Sequence, residues 1–206
     1  AYEIPKRDWS SDVCSSDLTE LTSYFTGEDI IDYNLDIAHT ENYLWLLTNG
    51  KIQEWNILSF SPFSVLFSRY IDLGFQNGDG LAAVDDTTLL VEQYSDVPSL
   101  PNQILKVDIS LDTPQISSLI FLPSGRFLTG DITYNSNGKV IVTNQDISGN
   151  TFINQYDYLT GVFEVEINIT DTVNVPVGLY FNNNQIFVID EYEYGQNYLI
   201  KDRKST

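Results

Sequence analysis

The sequence predicts an all-β fold made of repeated four-stranded sheets. Aromatic and β-branched residues are plentiful, and they occur in short runs separated by Asn, Asp, Gly, Ser and Pro, which is the composition of strands joined by tight turns. No stretch of twelve residues has apolar positions at helical spacing and is free of turn residues. The runs also repeat along the chain, which indicates a repeat architecture.

Each repeat begins with a short strand, a turn and a second, more apolar strand. The first strands are predicted at 35–40, 80–84, 131–134 and 177–181. The second strands are continuous apolar runs at 44–47, 89–91, 140–142 and 186–188. A continuous apolar run indicates a strand that is covered on both faces, so each sheet is expected to pack between two others.

The third strand carries the clearest repeat: apolar, two variable residues, apolar, Asx, apolar. It recurs at 52–57, 104–109 and 153–158. Its Asx, at Asn56, Asp108 and Asp157, is expected to end the strand by binding local backbone N–H groups. Fourth strands are predicted at 64–72, 115–122 and 162–169. The last repeat lacks one, and 19–26 is predicted to be the last strand of an earlier repeat.

A four-stranded meander of this length is typical of a β-propeller blade. Stacking on its neighbours covers the two faces of each blade. The sequence therefore predicts about four propeller blades over 19–200, as a truncated ring, with a closed ring of four or five blades as the alternative. A β-sandwich and a β-solenoid are alternatives, but a sandwich does not explain a repeated Asx strand, and solenoid coils are usually shorter.

The two ends of the chain resemble translated sequencing adapter. The stretch 8–18 matches an in-frame library adapter, and 202–206 matches its partner. Residues 1–18 and 201–206 are therefore expected to be foreign to the native protein. The single cysteine, Cys14, lies in the first of these segments, and the chain contains no Met.

The charge of the chain disfavours several classes of partner. The formal net charge is −19, and the adapter-like ends carry equal numbers of acidic and basic residues, so this charge belongs to 19–200. An acidic surface repels phosphate, so no nucleic-acid binding is expected. No apolar run reaches the roughly 18 residues of a membrane helix, so no membrane span is expected.

The order of elements resembles NHL-type propellers, in which a Gly- or Pro-introduced inner strand is followed by a turn, a short apolar strand and a third strand. The best local match is 175–182 followed by 184–190, and the resemblance covers 35–200. It implies a ring of six or seven blades. The markers of WD40 repeats are absent, since neither Trp45 nor Trp55 is followed by Asp.

Three sequence segments resemble stretches of repeat proteins encoded by aquatic bacteriophages: 35–46, 54–57 with 61–63, and 125–131. This similarity covers most of 30–190. It implies a virion-associated or host-contact role, on a particle or outside the cell, and it supplies no catalytic residues.

The residues offer little for nucleophilic catalysis. His39 is the only histidine, and no Gly-x-Ser-x-Gly elbow presents a nucleophile. His39 is expected at the end of a first strand, hydrogen-bonded or solvated. Arg126 is expected to pair with Asp131 or to face a ligand at the mouth of the ring.

A metal centre is the stronger enzymatic hypothesis. Propeller lactonases of the gluconolactonase kind hold a divalent ion at the ring centre with Glu, Asn and Asp. Asp36, Asp79 and Asp131 fall at or near the starts of first strands, and their oxygens suit Ca²⁺ or Mg²⁺. That family's Glu is not recognisable here. The segment 77–80 resembles half of an EF-hand loop, but a tight turn explains it better.

The sequence therefore predicts a non-catalytic binding or structural module without a cofactor. Its partner is expected to be a protein or a glycan, because Tyr and Asn on loops suit such contacts. A propeller hydrolase that uses Ca²⁺ is the alternative, and a secreted bacterial sensor domain is a third possibility. The candidate surface tyrosines are Tyr24, Tyr33, Tyr70, Tyr94, Tyr192, Tyr194 and Tyr198.

Overall fold

The computed structural model describes residues 36–201, except 49, 61–62, 76–77, 95–101, 174–175, 183–184 and 193–195. The adapter-like segment 1–18, residues 202–206 of the adapter-like segment 201–206, and the strand predicted at 19–26 lie outside the described residues, whereas Lys201 ends a strand. The described part of the chain is organised as β-strands joined by turns, and it contains no helix long and apolar enough to cross a membrane.

Fifteen strands form four antiparallel sheets. The first sheet contains β1 (Asp36–His39), β2 (Tyr43–Thr48), β3 (Lys51–Phe60) and β4 (Phe63–Asp72). The second contains β5 (Gly78–Asp85), β6 (Thr88–Gln93), β7 (Gln103–Asp108) and β8 (Gln115–Phe121). The third contains β9 (Arg126–Asn135), β10 (Lys139–Asp146), β11 (Thr151–Asp157) and β12 (Phe163–Asn168). The fourth contains β13 (Pro176–Asn182), β14 (Gln185–Tyr192) and β15 (Gln196–Lys201).

Every sheet is a plain meander, with strands side by side in chain order. The first strands of successive sheets lie next to each other, β1 with β5, β5 with β9 and β9 with β13. This is the arrangement of propeller blades around an axis, so the predicted fold class is confirmed. The described sheets form a series of four rather than a closed ring.

Apolar layers between the sheets form the core. Trp45, Leu47 and Ile52 of the first sheet pack against Leu89 and Val91 of the second. Equivalent layers lie between the second and third sheets and between the third and fourth. In the second and third sheets, the second strand supplies side chains to the layers on both of its faces, which explains its continuous apolar sequence.

The repeated Asx residues behave as predicted in two sheets of three. Asp108 Oδ1 accepts a hydrogen bond from Ser110 N at 2.9 Å, and Asp157 Oδ1 accepts one from Thr160 N at 3.0 Å. Both aspartates are the last residues of their strands. The prediction is wrong for Asn56, because β3 continues to Phe60.

The sequence suggested a tight turn here, but the segment 78–80 is the start of β5. Gly78 pairs with Gln93 and Leu81 pairs with Val91, so the two residues between them lie opposite the single residue Glu92. Such a β-bulge bends the strand and interrupts the regular ladder.

Candidate functional site

Four residues occupy the same position on the four first strands. On every first strand, one residue pairs with the third residue of that sheet's apolar run. These pairs are Ile37–Leu46, Leu81–Val91, Ile132–Val142 and Leu179–Val188. The position of interest is the residue just before the first member of each pair. The four preceding residues are Asp36, Gly80, Asp131 and Gly178. Aspartate and glycine therefore alternate from sheet to sheet at this level.

Asp36 joins the first sheet to the second. Its Oδ1 accepts a hydrogen bond from Ile37 N at 2.7 Å, and its Oδ2 accepts one from Leu81 N at 2.5 Å. Leu81 lies on β5, an edge strand of its sheet, where outward N–H groups have no ladder partner. The Asp36 carboxylate satisfies one of these groups.

Asp131 makes the same connection between the third and fourth sheets. Its Oδ1 accepts a hydrogen bond from Ile132 N at 2.7 Å, and its Oδ2 accepts one from Leu179 N on β13. We call each of these arrangements a carboxylate bridge. The repetition of the same four-atom pattern in two sheet pairs shows that the aspartates have a structural role.

The glycines at the alternate positions leave room for the next strand of their own sheet. A Cβ atom on Gly80 would lie 2.9 Å from the carboxylate of Glu92. A Cβ atom on Gly178 would lie 2.8 Å from the Ile189 side chain. Real Cβ atoms do not approach other atoms so closely, so a larger residue at either position requires a shift.

The carboxylates near the first strands influence one another. Asp131 as a residue is only half-buried, yet protein encloses its carboxylate, and this burial raises the pKa of Asp131 well above its ordinary value. The negative charge of Asp36, and then that of the fully buried Glu92, raise it further, against the N–H groups of Leu179 and Ile132. Ionised Asp131 is thus disfavoured here.

The predicted metal ligands are only partly located by the structure. Asp36 and Asp131 occupy equivalent positions and accept backbone hydrogen bonds. Asp79 lies one residue before Gly80 in β5, and its side chain is not among those that the structure describes. Among the described side chains, no three His, Cys, Asp or Glu residues are grouped as a metal site.

His39 ends β1, as predicted, and its Nδ1 lies 3.2 Å from the carbonyl oxygen of Thr40. The prediction that Arg126 pairs with Asp131 is wrong. Arg126 donates to Glu166 Oε2 at 2.9 Å and to Asn144 Oδ1 at 3.1 Å, and its guanidinium lies 3.7 Å from the Phe152 ring centre. Arg126 therefore fastens the start of β9 to strands of its own sheet.

An exposed apolar surface lies on the hairpin of β3 and β4. Both strands are ten residues long, against six or seven for β7, β8, β11 and β12. Leu58 and Leu66 are 63% and 58% exposed, and Phe60 and Phe63 are each 40% exposed. The Phe60 and Phe63 rings are 6.5 Å apart. Phe60 pairs directly with Phe63 on one face of the hairpin, and Leu66 pairs with Asn56 on the other. We call Leu58, Phe60, Phe63 and Leu66, which together cover both faces near the hairpin end, the hairpin patch.

Sequence reasoning missed Glu92 and the hairpin patch. Glu92 follows an apolar run, and its pairing opposite the bulge of β5 cannot be read from local pattern. The hairpin patch did leave a signal, because Pro62 between Phe60 and Phe63 marks a turn between two aromatic residues. Tyr70 and Tyr94 are exposed, as predicted.

No protein-family model matches the chain, and no curated protein matches it. Solved structures do match. The β-propeller domain of Cps50 (Swd1) from Myceliophthora thermophila aligns with a TM-score of 0.56 and 14% identity, over 77% of this chain and 49% of that one. A putative oxidoreductase (glucose dehydrogenase) from Thermus thermophilus aligns with a TM-score of 0.51 and 12% identity, over 82% and 62%.

The periplasmic gluconolactonase of Pseudomonas aeruginosa aligns more loosely, with a TM-score of 0.46 and 9% identity, over 81% of this chain and 56% of that one. This chain thus spans about half to three-fifths of these three structures. At 14% identity the alignment with the Cps50 domain shows the fold alone, which is that of β-propeller blades.

Proposed function

We propose that this chain is a non-catalytic β-propeller binding module that contacts a protein partner through the hairpin patch. The observation that carries the proposal is the pair of exposed phenylalanines at the end of an unusually long outer hairpin. Contiguous exposed apolar side chains on a soluble protein often mark interaction sites. Aromatic residues are also enriched at the positions that contribute most of the binding energy of an interface.

The chemistry of the patch favours a protein over a glycan. Its members are Phe and Leu, which offer apolar area but no hydrogen-bonding group. Sugar recognition needs polar groups beside the stacking ring, whereas an apolar protein surface does not.

Charge narrows the kind of protein. Between Ile57 and Tyr70 the only charged side chain among the described residues is Arg69, and Glu54 accepts its hydrogen bonds at 3.2 Å. The chain as a whole has a net charge of −19. The best complement is therefore an apolar surface surrounded by basic residues.

The similarity to phage-encoded repeat proteins supports a location at the surface of a virus particle or of a cell. A stack of sheets in which one outer hairpin is longer than the others suits such a role, because binding through β-strands needs little ordering of the module.

Replacing both phenylalanines with serine (Phe60→Ser, Phe63→Ser) is expected to abolish binding to peptides selected on the wild-type protein. The probe is a random peptide library displayed on particles, selected against the purified full chain. Recovered peptides should combine apolar and basic residues. Loss of the two rings should weaken their binding at least tenfold, since buried aromatic contacts contribute about 2 kcal/mol or more each at hot spots.

The matched control is the double variant Ile147→Ser, Leu159→Ser. These residues are 80% and 85% exposed and lie on turns of the third sheet. The control should bind the selected peptides as the wild-type protein does. Equal binding to the Phe60/Phe63 variant, or selection of acidic peptides, would contradict the proposal.

A propeller hydrolase with a central Ca²⁺ is the second candidate function. It draws support from Asp36 and Asp131, two of the carboxylates proposed from the sequence, which occupy equivalent positions on β1 and β9. A cation bound only to the folded protein raises its stability by about 2.7 kcal/mol at a concentration one hundred times its Kd. This candidate therefore predicts a calcium-dependent rise in Tm that is lost in Asp131→Asn.

A further inference from the structure

The exposed apolar side chains of β4 lie on both faces of the first sheet. Phe67 pairs with Trp55 and Leu66 pairs with Asn56, and successive residues of a strand point to opposite faces. The side chains of Phe67 and Leu66 are both exposed. A flat partner surface laid against one face would therefore leave the apolar side chains of the other face in water.

On one of these faces the side chains form a row. The ring centre of Phe67 lies 5.1 Å from that of Trp55 and 4.9 Å from that of Tyr70. Phe63 and Val65 point to the same face as Phe67, because residues two apart in a strand share a face. Apart from Trp55, these side chains follow one another along β4, which suits a partner in an extended conformation.

The segment Phe63–Phe67 of β4 lies at the edge of its sheet. β4 ends the strand order of the first sheet, so in the described part of the chain only β3 forms a ladder with it. The N–H and C=O groups of alternate residues on an edge strand point away from the sheet, where another strand can bind them. This segment therefore offers backbone hydrogen bonds beside its apolar side chains.

The edge at Phe63–Phe67 lacks the features that protect other outer strands. Charged residues are a common protection, and this segment has none. By contrast, β12 carries Glu164 and Glu166, and the carbonyl oxygen of Leu119 on β8 lies against Gly161 of the third sheet. Because unprotected edges recruit other strands, this edge is the expected place for strand addition.

We propose that the partner of the hairpin patch binds as an extended polypeptide segment that adds a fifth strand to the first sheet along Phe63–Phe67. The side chains of an added strand alternate between the two faces, so they reach Phe67 on one face and Leu66 on the other. The inference rests on the proposed function and specifies how the partner is bound.

A bulge in β4 and the charge of the chain define the bound segment. Arg69 pairs with Glu54 and Phe67 pairs with Trp55, so Ser68 is an extra residue that interrupts the ladder. The added strand is therefore expected to span about five residues, or roughly 17 Å. The net charge of −19 disfavours a second copy of this chain and favours a segment with basic residues beside its apolar ones.

The test uses a peptide selected from the displayed library on the full chain. Each backbone nitrogen of its binding segment is methylated in turn, and the Kd is measured by fluorescence anisotropy. Methylation should weaken binding at least tenfold at every second position, where it removes a hydrogen bond and forces a methyl group between strands about 4.8 Å apart. The intervening positions are the matched controls, because their N–H groups point to solvent and their methylation should leave the Kd nearly unchanged.

Amide exchange followed by NMR gives the readout on the protein. When the peptide binds, protection should rise at alternate N–H groups within Phe63–Phe67 and stay unchanged in β8. Equal effects of methylation at all positions, or unchanged exchange in Phe63–Phe67, would overturn strand addition. The proposed function would survive that result if the Phe60→Ser, Phe63→Ser variant still loses binding.

Two other outcomes identify different errors. Retained binding of the peptides to the Phe60→Ser, Phe63→Ser variant would reject the proposed function and the inference with it. Protection of the Phe63–Phe67 amides without peptide, together with dimers in sedimentation, would show that a second copy of the chain occupies the edge. That result would overturn the inference as well.

Discussion

Replacing Gly161 with alanine is expected to lower the free energy of unfolding by about 3 kcal/mol. Gly161 lies in the turn between β11 and β12 with a φ of 68°, a left-handed conformation that costs other residues about 1 kcal/mol. An added Cβ atom would also lie 2.2 Å from the backbone carbonyl oxygen of Leu119. Backbone cannot yield as a side-chain end does, so overpacking adds about 1–3 kcal/mol.

Gly149→Ala separates these two effects. Gly149 has a φ of 80°, and an added Cβ atom there meets nothing within 4 Å. Its cost should be the conformational part alone, about 1 kcal/mol. Urea unfolding of both variants measures the difference. Equal destabilisation would show that the third sheet does not pack against Leu119 in solution.

The prediction for Gly161 rests on how neighbouring sheets are fastened at their outer ends. The turn that contains Gly161 lies against β8 of the second sheet. Arg69 makes a comparable connection, because it donates to the carbonyl oxygen of Ile109 at 2.7 Å, in the loop after β7. Lys106 lies 5.2 Å from the ring centre of Tyr158, next to the end of β11.

The blade pattern could be predicted from sequence because each sheet reuses the same local chemistry. An Asx at a strand end binds nearby backbone N–H groups whatever the rest of the fold does, as Asp108 and Asp157 show. Continuous apolar runs likewise indicate strands whose two faces are both covered by neighbouring sheets. These signals are local, so one sequence is enough to detect them.

The carboxylate bridges could not be predicted, because each joins an aspartate to a backbone N–H group of the next sheet, 45 or 48 residues further along the chain. Such contacts depend on how the sheets stack, which no local pattern specifies. Asp79 was proposed as a companion of Asp36 and Asp131, but Gly80 is the equivalent residue, and a β-bulge places Asp79 and Gly80 together opposite Glu92.

The partners of charged residues could not be predicted from the sequence either. Arg126 lies five residues before Asp131, which suggested a pair across a loop, but both residues belong to one strand, β9, in which Arg126 is first and Asp131 lies in the middle. The actual partner, Glu166, is forty residues away on β12. Ion pairs between strands depend on sheet register, which no short motif specifies.

Replacing Leu90 with alanine is expected to lower the free energy of unfolding by about 2–5 kcal/mol. Leu90 is fully buried on the face of β6 that packs against the third sheet, among Ile104, Val140 and Val142. The substitution removes most of a side chain and leaves a cavity between two sheets. Neither sheet can close the gap without shifting its contacts with the other neighbour, so relaxation should be limited.

Leu159→Ala is the matched control, because Leu159 is 85% exposed in the turn after β11 and surface substitutions usually change stability by less than about 0.5 kcal/mol. Urea unfolding should also show a lower m-value for Leu90→Ala. In a stack where each sheet contacts only its neighbours, weakening one interface lets the two sides unfold separately. A Leu90→Ala cost as small as that of Leu159→Ala would mean that the second and third sheets are not packed face to face, and the propeller arrangement would then be wrong.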